Sequence, residues 1–220
     1  MASDVVMLSD PSPNQIFLSD FRTDPDANPL PTPSGRIEIF SEMLASFDLE
    51  DCLGHTVWSP PRDLDAGEGD FYLLFDQPKT RLHGHLDNGA CSLGQKIKGR
   101  EPVLIHPGHA APLGIHDGDV VELFNSRGRC LFGARVTDEV RQGCVFLWTG
   151  AWWDPDFDAQ QMRDRHGNPK ALTHDQRTSS LSQSPAAHSA RVSVRKFEGQ
   201  PPEVAVHRPP ALFNGVDGKA

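Results

Sequence analysis

The stretch from His166 to Ser189, HGNPKALTHDQRTSSLSQSPAAHS, is dense in hydroxyl, amide and imidazole side chains. It lies just before ARVSVRKF, an alternating run that predicts a β-strand. Because these side chains both donate and accept hydrogen bonds, a loop of this composition can wrap a large polar ligand. The same composition fits a solvated connector whose hydroxyls cap its own turns. The stretch alone supports both interpretations.

Two further polar segments follow runs that predict strands. RLHGHLDNG comes after FYLLF and a turn-like DQPKT, and TGAWWDP comes after CVFLW. Loops at the mouth of a β-barrel are common ligand sites. His83 and His85 have the spacing of a metal-binding pair, but no further ligand is placed beside them, so we predict no metal site. The alternative is that both are surface histidines.

Several kinds of chemistry find no support in the residues. We see no nucleophile–base pair, no phosphate-binding loop and no paired-carboxylate site, so we predict no catalytic residue. GIHDGD, at Gly114–Asp119, predicts a tight turn entering a strand. The four cysteines lack a C-x-x-C spacing, which argues against a zinc or redox motif and favours free thiols in a reducing cytosol.

The composition bounds the class of protein. The chain has 220 residues, a formal net charge of -9 and 37% hydrophobic residues, which suits one domain with ragged ends. The negative charge argues against nucleic acid as a partner. No apolar run approaches the ~20 residues that span a bilayer. The N-terminal MASDVVMLSDPSPNQ lacks the basic and apolar regions of a secretory signal, so we expect a cytoplasmic protein.

The pattern of short apolar runs and turns predicts a mainly β fold, a compact barrel with short helices and long loops. HPGHAAPLGI predicts one short helix, and NSRG predicts a hairpin connection in which Gly128 takes a positive φ. We predict strands at Phe71–Phe75, Pro102–His106, Asp119–Asn125, Arg129–Asp138, Cys144–Thr149 and Ser189–Phe197.

The segments on either side of the predicted barrel differ in character. Residues 1–20 are polar and predicted to be peripheral. Residues 21–70 are an extended or looped lead-in, in which GRIEIF predicts a short strand and SEMLASFD a helical turn with Ser41 as N-cap. Residues 71–197 form the barrel. Residues 198–220 contain proline pairs without a clear period and predict a loose tail.

Six motifs stand in a fixed order along the chain: DANPL, PSGRIEIFSE, QPKTRLHGHLDNG, GREPVLIHPGHAAPLGIHDGDVVELFNSRGRC, TGAWWDP and the stretch His166–Ser189. Together they resemble the C-terminal part of the dimethyl sulfoxide reductase family of molybdenum enzymes, most closely the biotin sulfoxide and trimethylamine N-oxide reductases. The resemblance extends from Phe21 to Phe197. It implies a six-stranded double-psi β-barrel that closes over bis(molybdopterin guanine dinucleotide) with molybdenum. Intact members carry further domains that hold the metal ligand and most of the substrate funnel.

The resemblance also implies which residues bind the cofactor. Arg81 would reach a pyrophosphate or pterin oxygen, and Gly84 would allow a close approach of the backbone. Asn168 and Asp175 would pair with the amino-pyrimidinone edge of a pterin. Trp152 and Trp153 would cover a pterin or line the edge of the substrate funnel, with a cap on the barrel core as the alternative. The full implied set is Arg81, His83, Gly84, His85, Thr149, Trp152, Asn168, Asp175, Thr178, Ser179 and Gln183.

Three departures from the family pattern fall within these loops. Gly84-His85 stands where Ser-Gln is usual, which removes a hydroxyl and an amide. Lys170 replaces an asparagine and Arg177 a glycine. We expect Arg177 to strain the backbone if the position needs a glycine conformation. We expect either substitution to loosen the loop or, alternatively, to add positive charge toward the phosphates.

Three functions remain open. The first is a cofactor-binding domain or fragment of a molybdenum-dependent S- or N-oxide reductase, which would transfer no oxygen atom alone. The second is a working subunit of a split molybdoenzyme, paired with a chain that bears the missing domains. The third is a stand-alone interaction barrel or an inert truncated remnant.

Overall fold

The structure is a computed structural model that describes residues 16–60, 70–157, 159 and 162–209. The chain divides into two compact units, Met1–Trp58 and Ser59–Ala220, which are treated separately below. The predictions made for residues 1–15, for residues 61–69 and for the tail beyond residue 209 lie outside the described residues.

The first unit contains two short helices, α1 at Ser19–Thr23 and α2 at Glu42–Ala45. Ser41 caps α2 as predicted, because its side chain accepts a hydrogen bond from the Leu44 amide at 3.3 Å. GRIEIF does not form a strand. Ile37 and Ile39 are 69% and 88% exposed, so their alternation with polar residues is not matched by burial of one face.

The second unit is built on a closed six-stranded β-barrel, as the sequence predicts. The strands of the ring are β1 Phe71–Asp76, β2 Pro102–Ile105, β3 Val120–Phe124, β4 Arg129–Val136, β5 Cys144–Trp148 and β8 Arg191–Lys196. They follow the order β2-β5-β1-β8-β3-β4, and β4 pairs with β2 to complete the ring. The β1–β5 and β2–β4 pairs are parallel, and the other pairs of the ring are antiparallel. The double-psi crossing stays a prediction.

The core of this unit lies inside the barrel. Residues 102–105 of β2 are buried along their whole length, whereas β5 and β8 alternate between buried and half-buried or exposed positions. Burial of the β-branched and leucine side chains of these strands removes apolar surface from water and drives closure of the sheet. Fully buried members include Leu73, Val103, Ile105, Val121, Leu123, Phe132, Val145 and Leu147.

The hairpin between β3 and β4 forms at the predicted residues. The backbone N–H of Asn125 donates to the Gly128 carbonyl at 3.1 Å. The prediction of a positive φ at Gly128 is wrong, because this residue is not among the positive-φ glycines. Gly128 is needed for a close approach instead, since a Cβ there would lie 2.6 Å from the carbonyl oxygen of Ala171.

Short elements decorate the barrel. The predicted helix in HPGHAAPLGI is confirmed as α4, Pro107–Ala110, capped by the His106 ring, which accepts from the Gly108 amide at 3.0 Å. The sheet is extended by β6, Pro155–Asp156, and β7, Arg163–Asp164, with β7 parallel to β4. Helix α3 spans Ala90–Leu93, and a 3-10 helix spans Pro169–Ala171.

The described part of the tail, residues 198–209, makes specific contacts within the second unit. The Ala205 amide donates to Asp154 Oδ2 at 2.8 Å, and His207 Nε2 lies 2.9 Å from Asp87 Oδ2. The guanidinium of Arg100 donates to the Pro202 carbonyl. Side chains of the barrel domain therefore hold this part of the tail. Among the described residues, no helix is long and apolar enough to cross a membrane.

Candidate functional site

A cleft of about 800 Å³ lies among the loops of the second unit. Three stretches line it: the segment after β1, the segment after β5, and the polar stretch that begins at His166. Six of the residues implied by the family resemblance lie on its wall: His83, Gly84, Thr149, Trp152, Asn168 and Asp175. Loops far apart in sequence thus converge on one concave surface, as ligand sites require.

The loops after β1 and β5 cross at very short range. Gly150 has φ +88°, and a Cβ added there would lie 2.0 Å from the carbonyl oxygen of His83. His83 itself has φ 49°, an uncommon conformation for a residue with a side chain. The Trp152 indole donates to the Gly84 carbonyl at 2.6 Å. We expected Gly84 to let the backbone approach a ligand closely. The group that comes close is instead part of the protein, because a Cβ at Gly84 would lie 3.3 Å from the carbonyl oxygen of Gly150.

Arg81 lies outside the cleft wall and holds the wall in place. Its side chain is 1% exposed and lies 2.9 Å from Glu101 and 3.4 Å from Asp87. The guanidinium donates to the backbone carbonyls of His83 at 3.1 Å and Thr149 at 2.9 Å. Two carboxylates and two carbonyls thus occupy the guanidinium that we expected to reach a ligand. The sequence could not reveal these competitors, because Glu101 and Thr149 are distant along the chain.

The ion cluster around Arg81 also contains Lys96. Its ammonium lies 2.9 Å from Asp87 and 2.6 Å from Glu101, so two cations face two carboxylates in a buried setting. Burial acts to raise the pKa of Asp87, but hydrogen bonds from His207 and Lys96, with the charge of Lys96, hold that pKa below its usual value. Asp87 is therefore ionised near neutral pH, and the cluster is charge-balanced.

His166, the first residue of the polar stretch, is fully buried behind the cleft. Its Nδ1 lies 3.0 Å from the Trp152 carbonyl oxygen, and since a carbonyl only accepts, Nδ1 is the donor. Burial lowers the pKa of His166 to about 4, helped by the charge of Lys96, so the ring is neutral near pH 7. This residue anchors the backbone of Trp152 on the cleft wall. The sequence analysis did not single it out.

The polar stretch divides into two parts with different roles. Asn168, Lys170, Thr173, His174 and Asp175 line the cleft. The Asn168 Oδ1 atom accepts from the Lys170 amide at 3.0 Å and so caps the 3-10 helix. Of these wall residues, the sequence analysis predicted only Asn168 and Asp175 as contacts. Lys170, Thr173 and His174 could have been found from the sequence, because they lie in the same motif as Asn168 and Asp175.

The second part of the stretch bonds to itself. The amides of Thr178 and Ala186 donate to the carbonyls of Ser184 and Gln176, each at 2.8 Å, and Ser179 Oγ accepts from the Ser182 amide at 3.0 Å. Thr178, Ser179 and the exposed Gln183 do not line the cleft. The solvated-connector interpretation describes residues 176–184. The ligand interpretation fits residues 168–175, and the end of the stretch returns to the cleft, where Pro185, Ala187 and His188 line the wall.

The departures from the family pattern are accommodated without backbone strain at Arg177. This residue forms a bridge with Pro185 and is not among the non-glycine residues with positive φ. The exposed His85 does not line the cleft, whereas Lys170 does. Trp152 and Trp153 are 37% and 42% exposed, so neither caps the barrel core.

The donors and acceptors of the wall suit a long polar ligand. Thr149 Oγ1 is buried without a hydrogen-bond partner, and such an unsatisfied group in the wall of a cleft favours a bound polar atom. Lys170 adds a positive charge, Asp175 a negative one, and Phe75 an apolar ring. A pterin with its phosphates presents matching donors, acceptors, a flat face and negative charge. The residues present therefore fit such a group.

Residues 71–191 match the sequence profile of the molydopterin dinucleotide binding domain, which begins at β1 and runs into β8. Because this match covers more than half of the chain, the protein belongs to the molydopterin dinucleotide binding domain family. The resemblance found in the motifs is confirmed. Membership also means that the cofactor is a molybdopterin dinucleotide with molybdenum.

Similar proteins include three reductases. The chain is 39% identical over 196 residues to the trimethylamine-N-oxide reductase of Haemophilus influenzae, covering 87% of this chain and 24% of that one. It is 38% identical over 201 residues to the dimethyl sulfoxide/trimethylamine N-oxide reductase of Cereibacter sphaeroides, covering 90% and 24%. It is 40% identical over 185 residues to the biotin sulfoxide reductase of the same organism, covering 83% and 25%. The chain spans about a quarter of the length of these curated relatives.

A solved structure shows the same fold. Acetylene hydratase from Pelobacter acetylenicus superposes with a TM-score of 0.59 at 14% identity, covering 79% of this chain and 25% of that one. At this identity the likeness concerns the fold alone.

Proposed function

We propose that the cleft holds the pterin part of bis(molybdopterin guanine dinucleotide) and that the whole protein reduces an S-oxide or N-oxide. The observation that carries the proposal is the cleft itself, where loops carrying the family motifs meet around six of the implied contact residues. The relatives named as trimethylamine-N-oxide, dimethyl sulfoxide and biotin sulfoxide reductases support the reaction class.

The residues of this chain bind and orient the cofactor. Asn168 and Asp175 offer an amide donor and a carboxylate acceptor to the amino-pyrimidinone edge of a pterin. The Thr149 hydroxyl would gain the partner that it lacks within the protein. Lys170 offers charge-assisted hydrogen bonds to anionic oxygens. When bound, the cofactor supplies the molybdenum redox chemistry. Arg81 acts as a positioning residue through the carbonyls of His83 and Thr149.

Cofactor content is the direct test. The full chain is purified from a host that makes the molybdenum cofactor, and molybdenum and fluorescent oxidised pterin are quantified. We expect near-stoichiometric amounts, and loss of most of both in Asn168→Ala and Asp175→Ala. The controls Asn28→Ala and Asp138→Ala remove the same functional groups away from the cleft wall. Cofactor that is retained equally in all four variants would contradict the assignment of the cleft.

We also propose that turnover requires further domains, in the same polypeptide or in a partner chain. The support is that the relatives are about four times as long as the aligned region, which covers 24% of two of them. Adding a chain that bears those domains should shift this protein in size-exclusion chromatography and restore oxide reduction. An interaction barrel or inert remnant predicts neither cofactor nor activity in either experiment.

The proposed location is the cytoplasm. It is supported by the four cysteines, all of which are free thiols. Cell fractionation with an antibody to this chain tests it, and recovery in a secreted fraction would exclude it.

A further inference from the structure

Three side chains from distant parts of the second unit converge beside the ion cluster. Asp87 lies in the loop after β1, His166 opens the polar stretch, and His207 lies in the tail. Asp87 Oδ2 lies 2.9 Å from His207 Nε2 and 3.7 Å from His166 Nε2. One nitrogen or oxygen atom of each residue lies within 4.8 Å of the other two.

The buried nitrogen of His166 lacks a partner in this arrangement. Its Nδ1 is the donor to the Trp152 carbonyl, so the Nε2 atom of the neutral ring carries a lone pair. That atom is buried without a hydrogen bond and faces the carboxylate oxygen of Asp87, which is also an acceptor. Two acceptors that face each other away from water are unfavourable unless a hydrogen-bond donor or a cation lies between them.

The two oxygens of Asp87 have separate partners. Lys96 Nζ lies 2.9 Å from Oδ1, whereas Oδ2 is the oxygen that faces both imidazoles. The lysine thus fixes the carboxylate with Oδ2 directed at His166 and His207. A single hydrogen bond from His207 to Oδ2 would satisfy that pair but would leave His166 Nε2 without a partner.

We propose that Asp87 Oδ2, His166 Nε2 and His207 Nε2 form a site for a divalent transition-metal ion, with Zn²⁺ as the best-suited occupant. Two imidazoles and a carboxylate are ligands that Zn²⁺ takes in tetrahedral sites, with bonds of about 2.0–2.2 Å. Ligand atoms on such a tetrahedron lie about 3.3 Å apart, and the two distances from Asp87 Oδ2 to the imidazole nitrogens, 2.9 Å and 3.7 Å, bracket that value.

The site has a route for the ion and room for a fourth ligand. The side chains of Asp87 and His166 are fully buried, whereas His207 is 23% exposed. Water can therefore enter past His207 and complete the coordination. The surrounding charges, Arg81 and Lys96 against Asp87 and Glu101, are already balanced, so the ion is held by local coordination and not by a net negative field.

A bound ion would connect three segments that the barrel strands do not connect. Through His166 it would reach the backbone of Trp152 on the cleft wall, and through His207 it would fix the tail. The site is structural in this proposal, and it does not depend on the cofactor or on the reductase activity.

Zinc titration of the full, cofactor-free chain tests the proposal. The Cys91→Ser background removes the exposed thiol, which is the one most able to compete for the metal. We expect one equivalent of Zn²⁺ by competition with a chromophoric chelator, and visible d–d bands of tetrahedral geometry with Co²⁺. His207→Ala should weaken binding at least about 10-fold and abolish those bands. His116→Ala, which removes an imidazole with 81% of its side chain exposed, should change neither result.

His207→Ala is the chosen variant because it changes the partly exposed ligand and leaves the buried cluster intact. A second measurement follows the tail, since Zn²⁺ should slow cleavage after the exposed Glu203 by a glutamate-specific protease at least about 10-fold in the parent chain and not in His207→Ala. Absence of stoichiometric binding, or equal affinity of the His207→Ala and His116→Ala chains, would overturn the proposal. Asp87 and His207 would then form a plain hydrogen-bonded pair.

Discussion

At the scale of single residues, Gly150 lies at a point of the cleft wall that leaves no room for a side chain. A left-handed conformation costs a residue with a side chain about 1–2 kcal/mol, and a Cβ at Gly150 would also overlap the His83 carbonyl, 2.0 Å away. We predict that Gly150→Ala lowers the free energy of unfolding by about 3 kcal/mol or more, measured by urea denaturation.

Gly143→Ala is the matched control for this prediction. Gly143 has φ +79°, close to the +88° of Gly150, but nothing lies within 4 Å of an added Cβ. Its variant should lose only the conformational part, about 1–2 kcal/mol. Equal losses in the two variants would show that the contact with His83 contributes nothing.

The thiols predict a clear contrast in reactivity. Burial, with the charge of Asp164 nearby, raises the pKa of the Cys130 thiol well above its usual value, whereas Cys91 is exposed. Because the thiolate is the reactive form, Cys130 should react with a disulfide reagent at pH 8 only after unfolding, and Cys91 should react in the native protein. Mass spectrometry of the labelled peptides measures the reaction of each cysteine. If Cys130 in the native protein were labelled as fast as Cys91, the burial of Cys130 would be contradicted.

At the scale of elements, one side chain joins the β3–β4 hairpin to two other segments. Asn125 Nδ2 donates to the carbonyls of Leu172, at 2.9 Å, and Arg191, at 3.0 Å, while its Oδ1 accepts from the Arg127 amide. Leu172 directly precedes the cleft residue Thr173, so the hairpin supports the cleft from behind.

We predict that Asn125→Ala costs about 1–3 kcal/mol of stability, since partly buried carbonyls lose their donor. Asn125→Asp should cost more, although it keeps the acceptor for Arg127, because a carboxylate would then face two carbonyl oxygens. Thermal unfolding of both variants tests the order. A more stable Asp variant would show that the acceptor, and not the donor, is the important group.

The strands of the barrel could be predicted because their apolar runs are short and bounded by turn residues. Val120–Phe124 and Arg129–Val136 fall within the predicted limits for that reason. GRIEIF has the same alternation but forms no strand, because alternation describes a face and does not supply a partner strand. An alternating segment therefore forms a strand only where the fold places a neighbouring strand beside it to share hydrogen bonds.

The site could be predicted less completely. The motifs identified Asn168 and Asp175, which line the cleft, but they also pointed to Arg81 and Thr178, which do not. The partners that decide these positions, such as Glu101 for Arg81, are distant in sequence. A residue type shows what a side chain can bind, and only the fold shows which partner reaches it first.

At the scale of the whole molecule, the buried core cluster draws only on the second unit, from Phe71 to Val194. The first unit instead exposes large apolar side chains, among them Phe17, Ile39 and Trp58, each at least 80% exposed. Exposed apolar groups of this size favour association in solution.

We therefore predict that a chain starting at Ser59 keeps the cooperative unfolding of the barrel, with a Tm within a few degrees of that of the full chain, and aggregates less. Circular dichroism and light scattering measure the two properties. A collapse of the Tm on truncation would mean that residues 1–58 contribute to the stability of the barrel.

The contact between His207 and Asp87 joins residues 120 positions apart, which has a consequence for the order of folding. The entropy lost on closing a loop increases with its length, so this contact is among the most expensive in the chain to form early. The β3–β4 hairpin closes over a few residues and should form first. In pulsed hydrogen exchange during refolding, the amide of Ala205, bonded to Asp154, should become protected after the amide of Asn125. The tail should then dock late, at about the same stage as the pairing of Phe71 in β1 with Val192 in β8, which closes a loop of similar length.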